Sequence, residues 1–225
     1  MSEGLVPQSF SEAAAALRGA AAQGRPVRIV GGGTKLGWGA PAPPGALQLH
    51  MAHLSRVVIH EDRRSATINA GTPLLRAQTL FARDGLMLAI DPQLGLAQSR
   101  AATVGGVLAT ADSGPLSHRH GPPRDQLQGL TVALSNGTII RTRSRGGHLQ
   151  EGLDLGCLFT GSFGTLGLIL AVDVRLLPLP GQTATALATA ANPELLQAAA
   201  ERIAQEHPQL QALDVAWRGS RGGLL

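Results

Sequence analysis

Short runs with apolar residues at every second position alternate along this chain with longer stretches in which they recur every third or fourth. The two periods separate strands from helices. Residues 11–23 carry the helical period behind Ser9 and Ser11, either of which supplies an N-cap. Residues 27–30, 46–50, 56–60 and 65–69 are short and β-branched or alternating, and predict strands. A second helix is predicted over 73–84, with Thr72 as N-cap and Pro73 at its first position. Asn136-Gly137, between residues 127–134 and 138–142, predicts a hairpin with a type I′ turn. Further on, 153–159 reads as a short helix and 168–177 as a strand halted by Pro178 and Pro180. Asn192 then caps a helix over 193–205, and 213–217 reads as a last strand. Helices and strands in this irregular order predict an α+β fold. A boundary is expected between residues 180 and 193, where Gly181-Gln182-Thr183 leads into an alanine- and threonine-rich stretch.

Composition adds two constraints. With 225 residues and 44% hydrophobic content, the chain can bury a sizeable core, as one large or two small domains. Only 3% of residues are aromatic, so Val, Leu, Ile and Ala must fill that core, while 29 glycines and 14 prolines imply many turns.

The glycines gather in three segments. The first, Val30-Gly31-Gly32-Gly33-Thr34-Lys35-Leu36-Gly37-Trp38-Gly39, follows a predicted strand. Consecutive glycines let backbone N–H groups turn inward as an anion-binding nest, and Lys35 would add a point charge. A dinucleotide fingerprint is excluded because counting from Gly31 puts Leu36 at the last glycine, with no helix to follow; a Walker loop is excluded because Thr34 precedes Lys35. Taken alone, the loop fits a glycine-rich surface turn with a solvated lysine equally well. In the second segment Thr103 caps a predicted helix through Gly105, Gly106 and Ala109, whose first N–H groups would face a phosphate or a carbonyl-rich ring. Tight packing of a small-residue helix on a sheet accounts for it as well. The third, Gly161-Ser162-Phe163-Gly164-Thr165-Leu166-Gly167, leads into a strand and offers backbone edges to a base.

Jointly the segments resemble a known family. Their order is shared with Asn69-Ala70-Gly71-Thr72-Pro73-Leu74, Thr103-Val104-Gly105-Gly106-Val107-Leu108-Ala109-Thr110, Ser113-Gly114-Pro115, Arg119-His120-Gly121 and Pro123-Arg124-Asp125. Over residues 25–180 the pattern resembles the PCMH-type FAD-binding domain of the vanillyl-alcohol-oxidase-like superfamily, in particular the FAD-binding subunit of bacterial glycolate oxidase. The resemblance implies an α+β fold of two subdomains in residues 1–180, with 181–225 a short remnant of a substrate-covering domain. It implies that Gly31, Gly32, Gly33, Thr34 and Lys35 cradle the FAD pyrophosphate. Thr103, Val104, Gly105, Gly106, Ser113 and Gly114 would approach pyrophosphate and isoalloxazine, while Gly164, Gly167 and Ile169 would meet the adenine side. It further implies non-covalent FAD, oxidation of a 2-hydroxy acid such as glycolate or D-lactate, and two partners, a catalytic flavoprotein subunit and an iron–sulfur subunit. An assembly subunit that keeps the fold without redox activity is the alternative. One stretch departs from the pattern. Where the subfamily carries Lys-Asn-Val-Ala-Gly-Tyr-Asp-Leu near the flavin, this chain reads His148-Leu149-Gln150-Glu151-Gly152-Leu153-Asp154-Leu155, and it has no tyrosine at all.

The remaining chemistry is sparse. The net charge is +4, but Lys35 is the only lysine and the arginines are dispersed. Arg141, Arg143 and Arg145 alternate along one face of a predicted strand without interleaved aromatics, so no nucleic-acid partner is expected. Cys157 stands alone, which excludes an intrachain disulfide and a cluster held by four cysteines of this chain; a buried structural thiol is expected. His118, His120 and Asp125 match no standard zinc spacing and are expected on exposed loops, so no metal site is expected, and Asp91-Pro92 reads as a turn. No catalytic constellation can be assembled. No basic leader or apolar span is visible, which gives a cytoplasmic expectation, with peripheral attachment to the inner membrane through a partner as the alternative.

Overall fold

Strand β1 (Gly4–Leu5), helix α1 (Phe10–Ala22) and strands β2 (Val27–Val30) and β3 (Leu47–His50) build a first layer. The strands form a parallel sheet in the order β1-β3-β2, so β2 is an edge that delivers its chain directly into the first glycine loop. The Ser9 hydroxyl accepts from the Glu12 amide (3.2 Å) and starts α1, whose small residues Ala13 and Ala14, with Leu17, are buried against Leu49, Met51 and Leu54. The structure, a computed structural model, describes residues 4–92, 102–143, 155–190, 192–218 and 221–224.

The second layer comprises β4 (Val57–Ile59), β5 (Ser65–Asn69), α2 (Leu74–Arg83), β6 (Leu86–Met87), α3 (Val104–Thr110), α4 (Ser117–His120), β7 (Leu127–Ala133), β8 (Ile139–Arg143), α5 (Leu155–Phe159), β9 (Leu168–Arg175) and β10 (Leu177–Pro178). Five of its strands form an antiparallel sheet, β4-β5-β9-β7-β8. Central β9 is buried on both faces, which is why it reads as a continuous apolar run. A register shift against β7 makes Leu170 an extra residue, and the strand serves both cores: Leu168 and Leu170 pack with α1, Ile169, Val172 and Val174 with the buried residues of α2 and α3. A final unit, β11 (Ala188–Ala190), α6 (Pro193–Glu206), β12 (Val215–Arg218) and β13 (Arg221–Leu224), forms a three-stranded sheet in the order β11-β13-β12. Arg119 Nη1 donates to Pro208 O (2.8 Å), and His120 Nε2 lies 3.0 Å from Gln211 Oε1, tying this unit to α4.

The α+β expectation holds, but several local expectations need correction. Helix α2 is capped by Pro73, not Thr72, because Thr72 is fully buried with its hydroxyl facing Arg56 O. The β7–β8 turn is not type I′: of the two central residues only Gly137 has positive φ (82°), and Leu134 accepts from the Gly137 amide and donates to Thr138 O. That is a three-residue connection, a type I turn closed by a left-handed glycine. The predicted strand over 168–177 divides, since Leu176 N turns to Arg64 O and β10 pairs with β6. Cys157 is exposed rather than buried, because the short helix turns Phe159 inward and leaves Cys157 and Leu158 on its outer side. Residues 144–154, with Arg145 and the departing stretch up to Asp154, lie outside the described residues.

Candidate functional site

The three glycine segments meet around one cavity of about 760 Å³. That is within the range of small-molecule and cofactor sites, roughly 300–1,000 Å³. Gly31, Gly32, Gly33, Thr34 and Lys35 line it from the first layer, Thr103, Gly105 and Gly106 from α3 and its cap, and Gly164, Gly167 and Ile169 from the approach to β9. Val104, Ser113 and Gly114 lie elsewhere. Val104 is buried in the core, and a Cβ at Gly114 would overlap the Asp91 carbonyl, so this glycine serves packing.

In the first loop the chain leaves β2 and turns at Gly33 (φ 71°), a conformation that costs glycine nothing. Arg28 Nη2 donates to Leu36 O (2.7 Å), and Trp38 N donates to Lys35 O (3.0 Å), which steadies the turn. Among the described residues no acceptor is found for the amides of Gly31, Gly32 and Gly33. Three adjacent unsatisfied donors in a partly buried loop are what an anion requires.

Helix α3 differs from its expectation. Its first N–H groups are not free: Val104 N donates to Thr72 O (2.9 Å), Gly105 N to Ala70 O (2.9 Å) and Gly106 N to Thr103 Oγ1 (3.2 Å). What α3 contributes is proximity. A Cβ at Gly105 would lie 2.6 Å from Ala70 Cβ, and one at Gly31 would overlap Thr103 Oγ1, so the first loop and the α3 cap touch through their missing side chains. The third segment bonds to the other end of α3, with Gly161 N donating to Leu108 O (2.9 Å) and Phe163 N to Ala109 O (2.8 Å). Phe163 holds φ at 54°, rare for a bulky residue, and half-exposed it sets its ring beside Gly39 at the cavity rim.

Lys35 is also placed differently from the simple phosphate-cation reading. Its Nζ lies 2.8 Å from Asp112 Oδ2, both side chains being only 9% exposed, and 5.5 Å from the centre of the Trp38 ring. Asp91 is not a free turn residue either. Its carboxylate accepts from Leu116 N (3.0 Å), and burial pushes its pKa up despite that bond. Cavity residues that sequence reasoning missed include Arg28 and Met51. For Arg28, the available signal was its place on the strand entering the glycine loop.

A family model described as an FAD binding domain matches residues 5–143. The chain belongs to the FAD-binding-domain family. This FAD-binding domain is 31% identical to a mitochondrial D-lactate dehydrogenase [cytochrome] of Arabidopsis thaliana, the match covering 80% of this chain and 31% of that protein. It is 33% identical to the glycolate oxidase subunit GlcD of Bacillus subtilis, over 79% of this chain and 37% of the relative. The chain therefore spans about a third of the length of such relatives. The fold is shared with an alkyldihydroxyacetonephosphate synthase (TM-score 0.74, 21% identity, 94% of this chain and 38% of that one). It is shared equally with the wild-type glucose dehydrogenase Phl p 4.0202 (TM-score 0.74, 18% identity, 98% and 44%).

The residues fit FAD. The unsatisfied amides of Gly31, Gly32 and Gly33 suit a diphosphate, and the glycine and alanine walls at Ala70, Gly105, Gly106 and Ala109 leave room for flat rings. Bound there, FAD supplies two-electron redox chemistry. Among the described residues no His, Cys, Asp or Glu group is arranged to hold a metal, and no helix is long and apolar enough to cross a membrane.

Proposed function

We propose that the chain is the FAD-binding part of a flavin-dependent 2-hydroxy-acid dehydrogenase, acting on glycolate or D-lactate together with a catalytic flavoprotein subunit and an iron–sulfur subunit. The observation that carries this reading is the coincidence of the FAD-family match with the cavity: the matched residues 5–143 include both the open glycine loop and the α3 wall. Relatives named as D-lactate dehydrogenases and a glycolate oxidase subunit supply the substrate class. Among the described residues no cavity-lining side chain is a histidine or cysteine, which supports non-covalent attachment. A chain with one cysteine cannot hold a four-cysteine cluster, which supports electron exit through a partner. Residues 1–180 are the cofactor domain in this reading, and 181–225 form part of a substrate-covering region through the β11–β13 sheet.

The test is dye-linked oxidation of glycolate and D-lactate by the chain alone and by the co-expressed complex, with the flavin spectrum recorded in both. Turnover by the complex and little by the chain alone is the expected result. A colourless chain that takes up no added FAD and supports no turnover would instead favour an assembly subunit, the reading that the departure at His148 to Leu155 motivates.

A further inference from the structure

The sequence offers Lys35 as the cation for the cofactor diphosphate, but the structure commits that lysine elsewhere. We propose that Lys35 and Asp112 form a structural clasp between the glycine loop and the end of α3, and that Arg28 is the cation that faces the diphosphate. The inference rests on the FAD assignment and deepens it.

The distances and burial support both halves. Asp112 follows Ala111, the left-handed C-cap of α3 (φ 51°), and its amide donates to Val107 O, so the carboxylate is fixed by the helix end. Lys35 meets it at 2.8 Å with both side chains nearly excluded from water. Moving the ammonium to a phosphate would strand that carboxylate buried and uncompensated, which is the costly way to break a buried pair. Trp38 beside the ammonium adds a further contact that would be lost. Arg28 lies under no such constraint. It lines the same cavity, is only partly buried, and donates from Nη2 to Leu36 O on the glycine loop. A guanidinium has five N–H donors, so this bond anchors the group beside the loop while other donors remain. Among the described residues no carboxylate pairs with it. A guanidinium also matches phosphate oxygens two at a time, which an ammonium does not.

Two experiments separate the halves. The first is FAD affinity by quenching of flavin fluorescence at low and high salt, for wild type, Arg28→Gln, Arg28→Lys and the double variant Lys35→Met/Asp112→Leu. Arg28→Gln is expected to weaken binding about tenfold and to flatten its salt dependence, Arg28→Lys to keep part of both, and the double variant, whose net charge is unchanged, to lose less than Arg28→Gln and to keep the wild-type salt dependence. Equal losses in Arg28→Gln and the double variant, or no loss in Arg28→Gln, would overturn the assignment of Arg28. The second is a urea-denaturation cycle without FAD: Lys35→Met is expected to be strongly destabilised and Asp112→Leu in the same chain to restore it. Additive effects would overturn the clasp. Wild type that binds no FAD would overturn the cofactor assignment itself, and the denaturation cycle still decides the clasp.

Discussion

Two glycine-rich starts, the Gly31–Gly33 loop and the Gly105–Gly106 turn of α3, look alike in sequence and differ in one physical respect. The loop leaves its amides without acceptors among the described residues, whereas the helix gives every early amide to Thr72, Ala70 or Thr103. Glycine therefore does two jobs here. In the loop it exposes backbone donors, and in the helix, at Gly105, it removes side-chain bulk so that Ala70 can come close. Unsatisfied donors hold an anion; satisfied donors only make room for one.

The largest expected effect comes from the contact that joins the two regions. Lys35→Met leaves Asp112 buried without its partner and should lower unfolding free energy by about 3–5 kcal/mol, read from urea denaturation. A loss within the range of an exposed pair would sever the loop from α3 in this description.

Next comes Gly105→Val, whose Cβ would stand 2.6 Å from Ala70 Cβ and 3.0 Å from Ala70 O. Overpacking of this kind costs about 1–3 kcal/mol, and circular dichroism should show a lowered melting temperature. Thr103→Ala removes the bond from the Gly106 amide and should cost about 1 kcal/mol, with a small fall in the same assay. If it cost nothing, the α3 cap would not be what satisfies that amide.

The smallest effect is a pH dependence on the α3 side. Burial raises the Asp91 pKa above its ordinary value, so the unfolded chain ionises first as pH rises. Both states are protonated below the ordinary carboxylate range and Asp91 then exerts no penalty. Folded stability falls as pH climbs through that range to the raised folded value. Asp91→Asn should flatten this slope in melts across acidic pH, and an unchanged slope would remove Asp91 as its source.

These particulars also show what the sequence could carry. Helix α1, strands β2 to β5 and β7 and helix α6 were legible because each combines a clear period with local punctuation such as Ser9, Asn192 or a glycine turn, and β9 because its apolar run is continuous and halted by proline. The strands β1, β6 and β10 are two residues each and have no period to detect; their pairing partners are remote in sequence. The Asn136-Gly137 signal located a turn but not its type, because the loop length that decides it depends on how β7 and β8 pair. At the site, glycines announced close approach, yet nothing local revealed that Asp112 takes Lys35 or that Thr72 takes the Val104 amide. Those are partners across the fold.

One titration addresses the contrast between the two glycine regions most directly: FAD added to wild type, Gly33→Val and Thr103→Ala, each first shown to be folded by circular dichroism. Gly33 sits at φ 71°, so valine there distorts the loop and turns its amides away, while alanine at 103 removes the cap of the Gly106 amide and leaves the loop amides in place. Loss of about tenfold or more in Gly33→Val, with Thr103→Ala within about threefold of wild type, is the expected result. Full affinity in Gly33→Val together with a large loss in Thr103→Ala would place the cofactor's diphosphate on α3 and contradict it.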